Sequence, residues 1–297
     1  MTQPLRALIA AELAEPVDPR VAAMAAAIAA EHGEASRAVL FYGSCLRQNE
    51  LEGLMLDFYL IVDSYEKAYE KGWLAKANAL IPPNVFHFQH DGLVAKYAVL
   101  DEADFARENS TDARSVSVWA RFAQPVRLVW SADEKAREGV INAVTQAPVT
   151  LFSLTLPVMA DPDPDPVAVW NRGFQLTYGA ELRAERKGRG GSIIDSDPER
   201  YAAVGAAALD AARAAASGRS AAAAGRKWKR LQAKGKWLSV ARLAKASATF
   251  NGGAEYIVWK INRHAGTQIE LSEFQKRHPL YAAITLLPRL LRSGAVR

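Results

Sequence analysis

Apolar residues in the first 130 positions fall into short strand-like runs broken by turn residues, whereas after Asp133 they recur at helical spacing. "DPRVAAMAAAIAAEHG" (Asp18 to Gly33) predicts a helix with an acidic start and a glycine stop. "AVLFY" follows as a strand, Gly43-Ser44 as a sharp turn, and Cys45 to Glu52 as the start of a helix. "LMLDFYLIV" is apolar on both faces, which places it centrally in a covered sheet. Glu66 to Leu80 reads as one helix. "NVFHFQHDGLVAKYAVL" alternates on either side of Asp91-Gly92, a favoured tight-turn pair, and so predicts a hairpin. "PVRLVW" is one more strand, with Pro125 suited to its first position or to an edge.

Beyond Asp133, "DEKAREGVINAVTQA" and "VTLFSLTLPVM" are expected as two helices. "DPDPDP" (Asp161 to Pro166) is a stiff extended insert, and Pro166 then suits the first turn of the helix "PVAVWNRGFQLTYGAELRAER". "KGRGGSIIDSDPER" reads as a loop. Tyr201 to Lys236 is Ala-rich and helical, with interruptions expected at Gly218 and Gly225. The pattern is α+β: a mixed sheet flanked by helices over residues 1–132, a mainly helical region over 133–245, and a C-terminal segment over 246–297. The last segment joins apolar residues to Lys276, Arg277, Arg289, Arg292 and Arg297, which suits either an interfacial membrane anchor or a helix docked on its own domain.

Composition narrows the setting. The chain of 297 residues is 50% hydrophobic and 23% charged, ordinary for a globular protein with a sizeable core. A single cysteine, Cys45, excludes an internal disulfide framework and points to a reducing compartment. No secretory pattern is visible at the amino terminus, and no run approaches the ~20 apolar residues of a spanning helix. The expected location is cytoplasmic, with peripheral contact at the inner face of the membrane. Net charge is only +5, but every charged side chain from Arg213 to Lys245 is basic. That block favours anionic partners, a nucleoside triphosphate or an anionic lipid ahead of nucleic acid, unless it is simply a solvated helical face.

The chemistry centres on Asp57, an acid inside an apolar strand. A lone buried carboxylate is costly, so it calls for a partner or a metal. A strand, a Gly-Ser turn, a helix and a strand with an inward acid form the layout of a polymerase-beta-like nucleotidyltransferase core. Gly43 would let the backbone approach a phosphate, Ser44 would offer a hydroxyl, and Asp57 would ligate Mg²⁺. The usual pattern has a second acid two positions along, and here that slot is Tyr59. Asp63 lies about 20 Å further along an extended strand and is expected at its end.

"YGSC" (Tyr42 to Cys45), "DFYLIVD" (Asp57 to Asp63), "KYAV" (Lys96 to Val99), "WARFAQPV" (Trp119 to Val126) and "TYGAELR" (Thr177 to Arg183) occur in this order. In that order the chain resembles the mitochondrial-type phosphatidate cytidylyltransferases, the CDP-diacylglycerol synthases of the translocator-maintenance family. Their corresponding segments read "YGSG", "DF" with an apolar run ending "VD", "KYGV", "AGRLQKPV" and "SYSGDFR". "ASATFNG" (Ala246 to Gly252) is weakly similar to a further segment, "ALQTIKG". The resemblance implies a nucleotidyltransferase domain joined to a helical, winged-helix-like domain, acting on CTP and phosphatidic acid with Mg²⁺. It aligns Glu181 and Arg183 with the acid and the arginine of the late motif. Three departures, Cys45 for a glycine, "KAYEKG" for "WH", and Asn251 for a lysine, bear on the acceptor and on the nucleotide base.

Under this reading Asp57, Lys96 and Glu181 are catalytic, and Asp57 and Glu181 hold the metal. Gly43, Ser44, Arg121 and Arg183 contact phosphates, for which an arginine fork is well suited. Glu181 would supply the carboxylate missing at position 59. His87 and His90 flank the hairpin turn without a convincing set of zinc partners. Trp228 and Trp237 suit stacking, a lipid interface or simple packing. Two other readings stay open: transfer to a soluble acceptor, and a degenerate nucleotidyltransferase fold that binds lipid or RNA without chemistry.

Overall fold

The computed structural model describes residues 3–48, 51, 53–180, 193–215, 220–249 and 272. Its α+β architecture is a five-stranded mixed sheet with helices on both faces. The strands are β1 (Ser36–Tyr42), β2 (Met55–Val62), β3 (Asn84–His90), β4 (Leu93–Asp101) and β5 (Val126–Ser131), in the order β3-β4-β2-β1-β5. β2 and β4 run parallel, and the other pairs are antiparallel. β2 is the central strand, as its apolar run predicts. The hairpin turns at Asp91 and Gly92, both at positive φ, as a two-residue turn of that composition requires.

Alternation along the strands divides the side chains between two cores. Leu56, Phe58, Leu60 and Val62 of β2 pack with Val39, Phe41 and Val99 under Val21, Met24 and Ile28 of α2 (Pro19–Ala30). Tyr59 and Ile61 point the other way, with Leu40, Ala98 and Leu100, into a second core. That core continues into α1 (Gln3–Leu13), which inserts Leu5, Ile9 and Leu13. α3 (Ser44–Gln48), α4 (Tyr65–Ala68) and α5 (Gly72–Leu80) add Cys45, Tyr65 and Ala75 to the first core, and α6 (Glu102–Asn109), α7 (Trp119–Phe122) and α8 (Glu134–Thr155) build the second. α9 (Pro166–Tyr178), α10 (Pro198–Ala215) and α11 (Ala221–Thr249) complete the described helices. Asp101, Asp133 and Asp165 each accept a backbone N–H at the start of a helix, which explains why those helices begin where they do.

Several elements differ from the sequence pattern. The two helices expected around Pro148 are one, α8, and Pro148 itself is buried. A mid-helix proline costs about 3 kcal/mol. Burial of Val140, Val144, Leu151 and Phe152 at roughly 1.5–3 kcal/mol each outweighs that cost. By length and composition α8 could cross a bilayer, but 72% of its apolar window is inside this core. Glu66 to Leu80 splits at Tyr69, whose extended backbone turns its ring into contact with His32 and Phe86. α11 runs through Gly225 without interruption. Further along it, a Cβ at Gly235 would overlap the carbonyl oxygen of Ala180, so glycine permits the close approach of these two backbones. Trp228 belongs to the core, donating from Nε1 to the Leu154 carbonyl at 2.8 Å, whereas Trp237 is 73% exposed. Residues 250–271 and 273–297, including the basic apolar tail, lie outside the described residues.

One buried ion pair fastens α1 to the helical layer. Arg200 of α10 donates from Nε to Glu12 at 2.6 Å and from Nη1 to the Ala123 carbonyl at 3.0 Å. Glu12 also accepts the Val126 amide at 3.1 Å, so it anchors the start of β5. Each side chain is only 9% exposed. Removing one partner strands the other charge away from water, a loss of about 3–5 kcal/mol. Glu12→Ala is therefore expected to destabilise the fold by that amount in urea unfolding, while Glu15→Ala, whose carboxylate pairs Arg127 at the surface, changes it by about 1 kcal/mol or less.

Candidate functional site

The register of the sheet lines four polar side chains up on one rung. Asp57 of β2 stands opposite Lys96 of β4 and Tyr42 of β1, and Lys96 stands opposite His87 of β3. Paired residues share a face, so the four project toward the helical layer, just beyond the apolar rung that contains Val85, Ala98, Tyr59 and Leu40. The parallel pairing brings the Lys96 Nζ to 2.8 Å from an Asp57 oxygen, with the two side chains 27% and 18% exposed. An acid inside an apolar strand is thus tolerated because a cation sits beside it. Lys96 is accordingly no solvent-facing strand lysine.

Gly43 presses against the other side of the carboxylate. It has φ +97°, and a Cβ there would lie 2.8 Å from the Asp57 Oδ2 and 3.3 Å from its Cβ. Both the backbone angle and the close approach exclude a side chain. Ser44 is exposed at the first position of α3. With five residues α3 builds little dipole, so positive potential at the turn must come from side-chain cations. Cys45 is buried and contacts the Met55 carbonyl at 3.6 Å. Burial, and then the nearby Asp57 charge, push its thiol pKa up, away from a reactive thiolate. Tyr59, in the slot where a second acid was sought, is 3% exposed and packs between Tyr42 at 5.4 Å and Phe122 at 5.1 Å. Asp63 follows the end of β2 and pairs with Lys67.

A cavity of about 160 Å³ opens beside this rung, lined in part by Tyr42, Tyr59 and Lys96. Arg121 enters from α7, with its Nη1 donating to the Ser117 carbonyl. Arg242 and Lys245 enter from α11, one turn apart on the helix. Arg242 donates from Nε to the Pro82 carbonyl at 2.7 Å and from Nη1 to the Ser117 hydroxyl at 2.7 Å. Lys245 donates to the Ile81 and Pro83 carbonyls, the latter at 2.8 Å. Burial, and then the Arg242 charge, depress the Lys245 ammonium to about 7. None of the described residues lining the cavity is an acid. Arg242 and Lys245 had no individual mark in the sequence; the acid-free basic block was the available signal.

Gly43, Ser44, Asp57, Lys96 and Arg121 are therefore grouped around the β1–α3 turn and the cavity next to it. Glu181 and Arg183 lie outside the described residues. Asp57, the described one of the two expected metal ligands, has the Lys96 ammonium 2.8 Å away. Among the described residues no group of three or more His, Cys, Asp or Glu side chains could hold a metal ion. His90 lies 3.5 Å from Asp91 at the hairpin turn, and His87 belongs to the polar rung.

No protein-family model matches the chain, and no curated protein matches it. Among solved structures it is similar to a nucleotidyltransferase-like protein from Exiguobacterium sibiricum, at 9% identity over 92% of each chain with a TM-score of 0.29. The α+β assignment stands on the sheet order and its flanking helices.

The Gly43 contact makes a direct prediction. Gly43→Ala forces a left-handed backbone on an L-residue, about 1–2 kcal/mol by itself, and drives a methyl group into the Asp57 carboxylate. Urea unfolding is expected to show at least that loss, and a change below about 0.5 kcal/mol, the range of neutral surface substitutions, would mean that the turn does not abut Asp57.

Proposed function

We propose that the chain is a nucleotidyltransferase that holds the phosphates of a nucleoside triphosphate beside the Gly43-Ser44 turn and transfers the nucleotidyl group to a phosphate-bearing acceptor. The observation that carries this reading is the Asp57–Lys96 pair, seated against a side-chain-free turn and open to a cavity ringed by cations. An ion pair whose only role is structural needs neither the glycine nor the cations. In the full form of the proposal the nucleotide is CTP, the acceptor is phosphatidic acid and the products are CDP-diacylglycerol and pyrophosphate. This finer assignment is supported by the order of the sequence motifs from Tyr42 to Arg183.

The chemistry is an in-line displacement. An oxygen of the acceptor phosphate forms a bond to the α-phosphorus, and the bond from that phosphorus to the β-phosphate bridging oxygen breaks. Pyrophosphate carries the electron pair away. The acceptor phosphate is already ionised near neutral pH, so no strong general base is required. Orientation and charge neutralisation supply the rate. Lys96 donates to a phosphate oxygen from the ammonium that Asp57 keeps in place. Arg121 offers planar donors on the cavity side. Ser44 contributes its hydroxyl at the turn. Glu181 and Arg183 complete the set in this reading. Mg²⁺ arrives as the counter-ion of the triphosphate, part of the substrate. Contact with an anionic bilayer through the basic tail and helices would present the lipid acceptor at the inner face of the membrane.

A second reading, a non-catalytic phosphate binder on the same scaffold, is favoured by Tyr59 filling the second acid slot with packed aromatic core. Labelled CTP, Mg²⁺ and phosphatidate vesicles separate the two. The enzyme reading predicts labelled CDP-lipid and pyrophosphate in equal amounts, lost when magnesium is chelated. Removing one electrostatic contact of this kind costs about 10²–10³ in rate, so Asp57→Ala and Lys96→Gln should each fall by that factor. Product formed only with soluble acceptors would move the acceptor class. Nucleotide binding without any product, or full activity in Asp57→Ala, would leave the binder.

A further inference from the structure

α11 turns two unlike faces to its surroundings. Ala224, Trp228, Leu231 and Gly235, at spacings of four, three and four, are buried. Trp228 meets the Trp119 ring at 6.0 Å, and Gly235 lies against the Ala180 carbonyl. Two residues further along, about 200° around a helix, Arg226, Arg230, Ala233 and Trp237 repeat that spacing on the opposite side. All four are exposed, Trp237 at 73%. Lys229 and Lys236 flank this stripe on one side and Lys234 on the other, and all three are exposed as well. From Arg226 to Trp237 the stripe is about 16 Å long. No acid occurs in α11, and among the described residues none of these five cations is in an ion pair. Arg226 and Arg230, and Arg230 and Lys234, are like charges four apart, an arrangement that weakens a helix. A face that had only to be solvated would be more stable with acids interspersed.

We propose that the outward face of α11, from Arg226 to Trp237, docks the chain on an anionic lipid bilayer and holds the cavity beside the bilayer surface. This deepens the function proposed above by naming the surface that meets the membrane, and it rests on that reading only for the identity of the acceptor taken from the bilayer.

Charge complementarity and shape favour this occupant. At a bilayer surface an indole ring sits at the level of the headgroups, and the long stems of lysine and arginine carry their charges to the phosphates around it. The α11 face has that arrangement, one exposed indole with cations on both flanks. Single-stranded nucleic acid is bound along a positively charged groove. Here both flanks are themselves exposed, so no wall rises beside the stripe to make one. The helix also links this face to the site. Beyond Trp237 it continues to Arg242 and Lys245, which line the cavity about 8 and 12 Å further along the axis. A membrane lying on the stripe is therefore within reach of the place where the acceptor reacts.

Flotation of the full chain with vesicles tests this, using equal parts phosphatidylcholine and phosphatidylserine against phosphatidylcholine alone. Neither preparation contains phosphatidate, so substrate binding at the turn does not enter the result. The chain is expected to float with the anionic vesicles only, and to be released as salt is raised. Arg230→Glu combined with Lys234→Glu should weaken binding at least about 25-fold, at about fivefold for each cation removed. Both positions are exposed, so the urea midpoint of that variant should match the parent's. Vesicles with brominated acyl chains should quench the parent's fluorescence more than that of Trp237→Phe, a readout that a purely structural tryptophan would not move. Binding that survives the double reversal, or equal quenching in Trp237→Phe, would overturn the proposal. So would a face that binds single-stranded poly(U) and no vesicle. Docking that depends on these residues without any CDP-lipid formed would leave the face standing and remove the reaction assigned above. CDP-lipid formed by a chain that ignores phosphatidylserine vesicles would do the reverse.

Discussion

One electrostatic constraint organises the site: a carboxylate on the central strand needs a cation within reach, and parallel pairing with β4 supplies Lys96 at 2.8 Å. From that contact the rest follows. Asp57 fills the space beside β1, so position 43 can carry no side chain and the chain must turn there at positive φ. The turn ends β1, sends α3 away from the sheet and leaves the polar rung of Tyr42, Asp57, Lys96 and His87 at the margin of the core. The margin is where a polar ligand can be admitted without breaking the apolar packing beneath it.

The helical half of the chain has two tasks in this arrangement. Its buried face, through Leu151, Phe152, Trp170 and Tyr201, extends the core below the sheet and gives the site a firm base. Its basic end, on α11, closes the cavity from above with Arg242 and Lys245. The clamp of both residues on the Ile81-Pro82-Pro83 carbonyls orients their charges before any ligand arrives. Pre-oriented donors of this kind bind a developing or resident negative charge with little further ordering.

Much of this was legible in the residues. The strand "LMLDFYLIV" announced its central place, the Asp91-Gly92 pair its hairpin, and Asp57 its need for a partner. Local patterns failed where tertiary packing outweighed them. Pro148 was expected to divide two helices, yet the apolar face around it keeps α8 whole, and Tyr69 breaks an expected helix to reach its ring cluster. The partner of Asp57 could not be derived from spacing, because Lys96 is close only through strand register. Arg242 and Lys245 were hidden in a block of cations whose solvent and cavity faces look alike in sequence.

The central claim is that Asp57 and Lys96 form a pair poised to receive phosphate and not a closed structural bridge. The most direct measurement is a crystal structure of the chain grown with magnesium and a non-hydrolysable nucleoside triphosphate. The account predicts phosphate oxygens against the Gly43 backbone and within hydrogen-bond distance of the Lys96 Nζ. A nucleotide bound elsewhere, or a Lys96 still committed to Asp57 with no phosphate beside the turn, would contradict it.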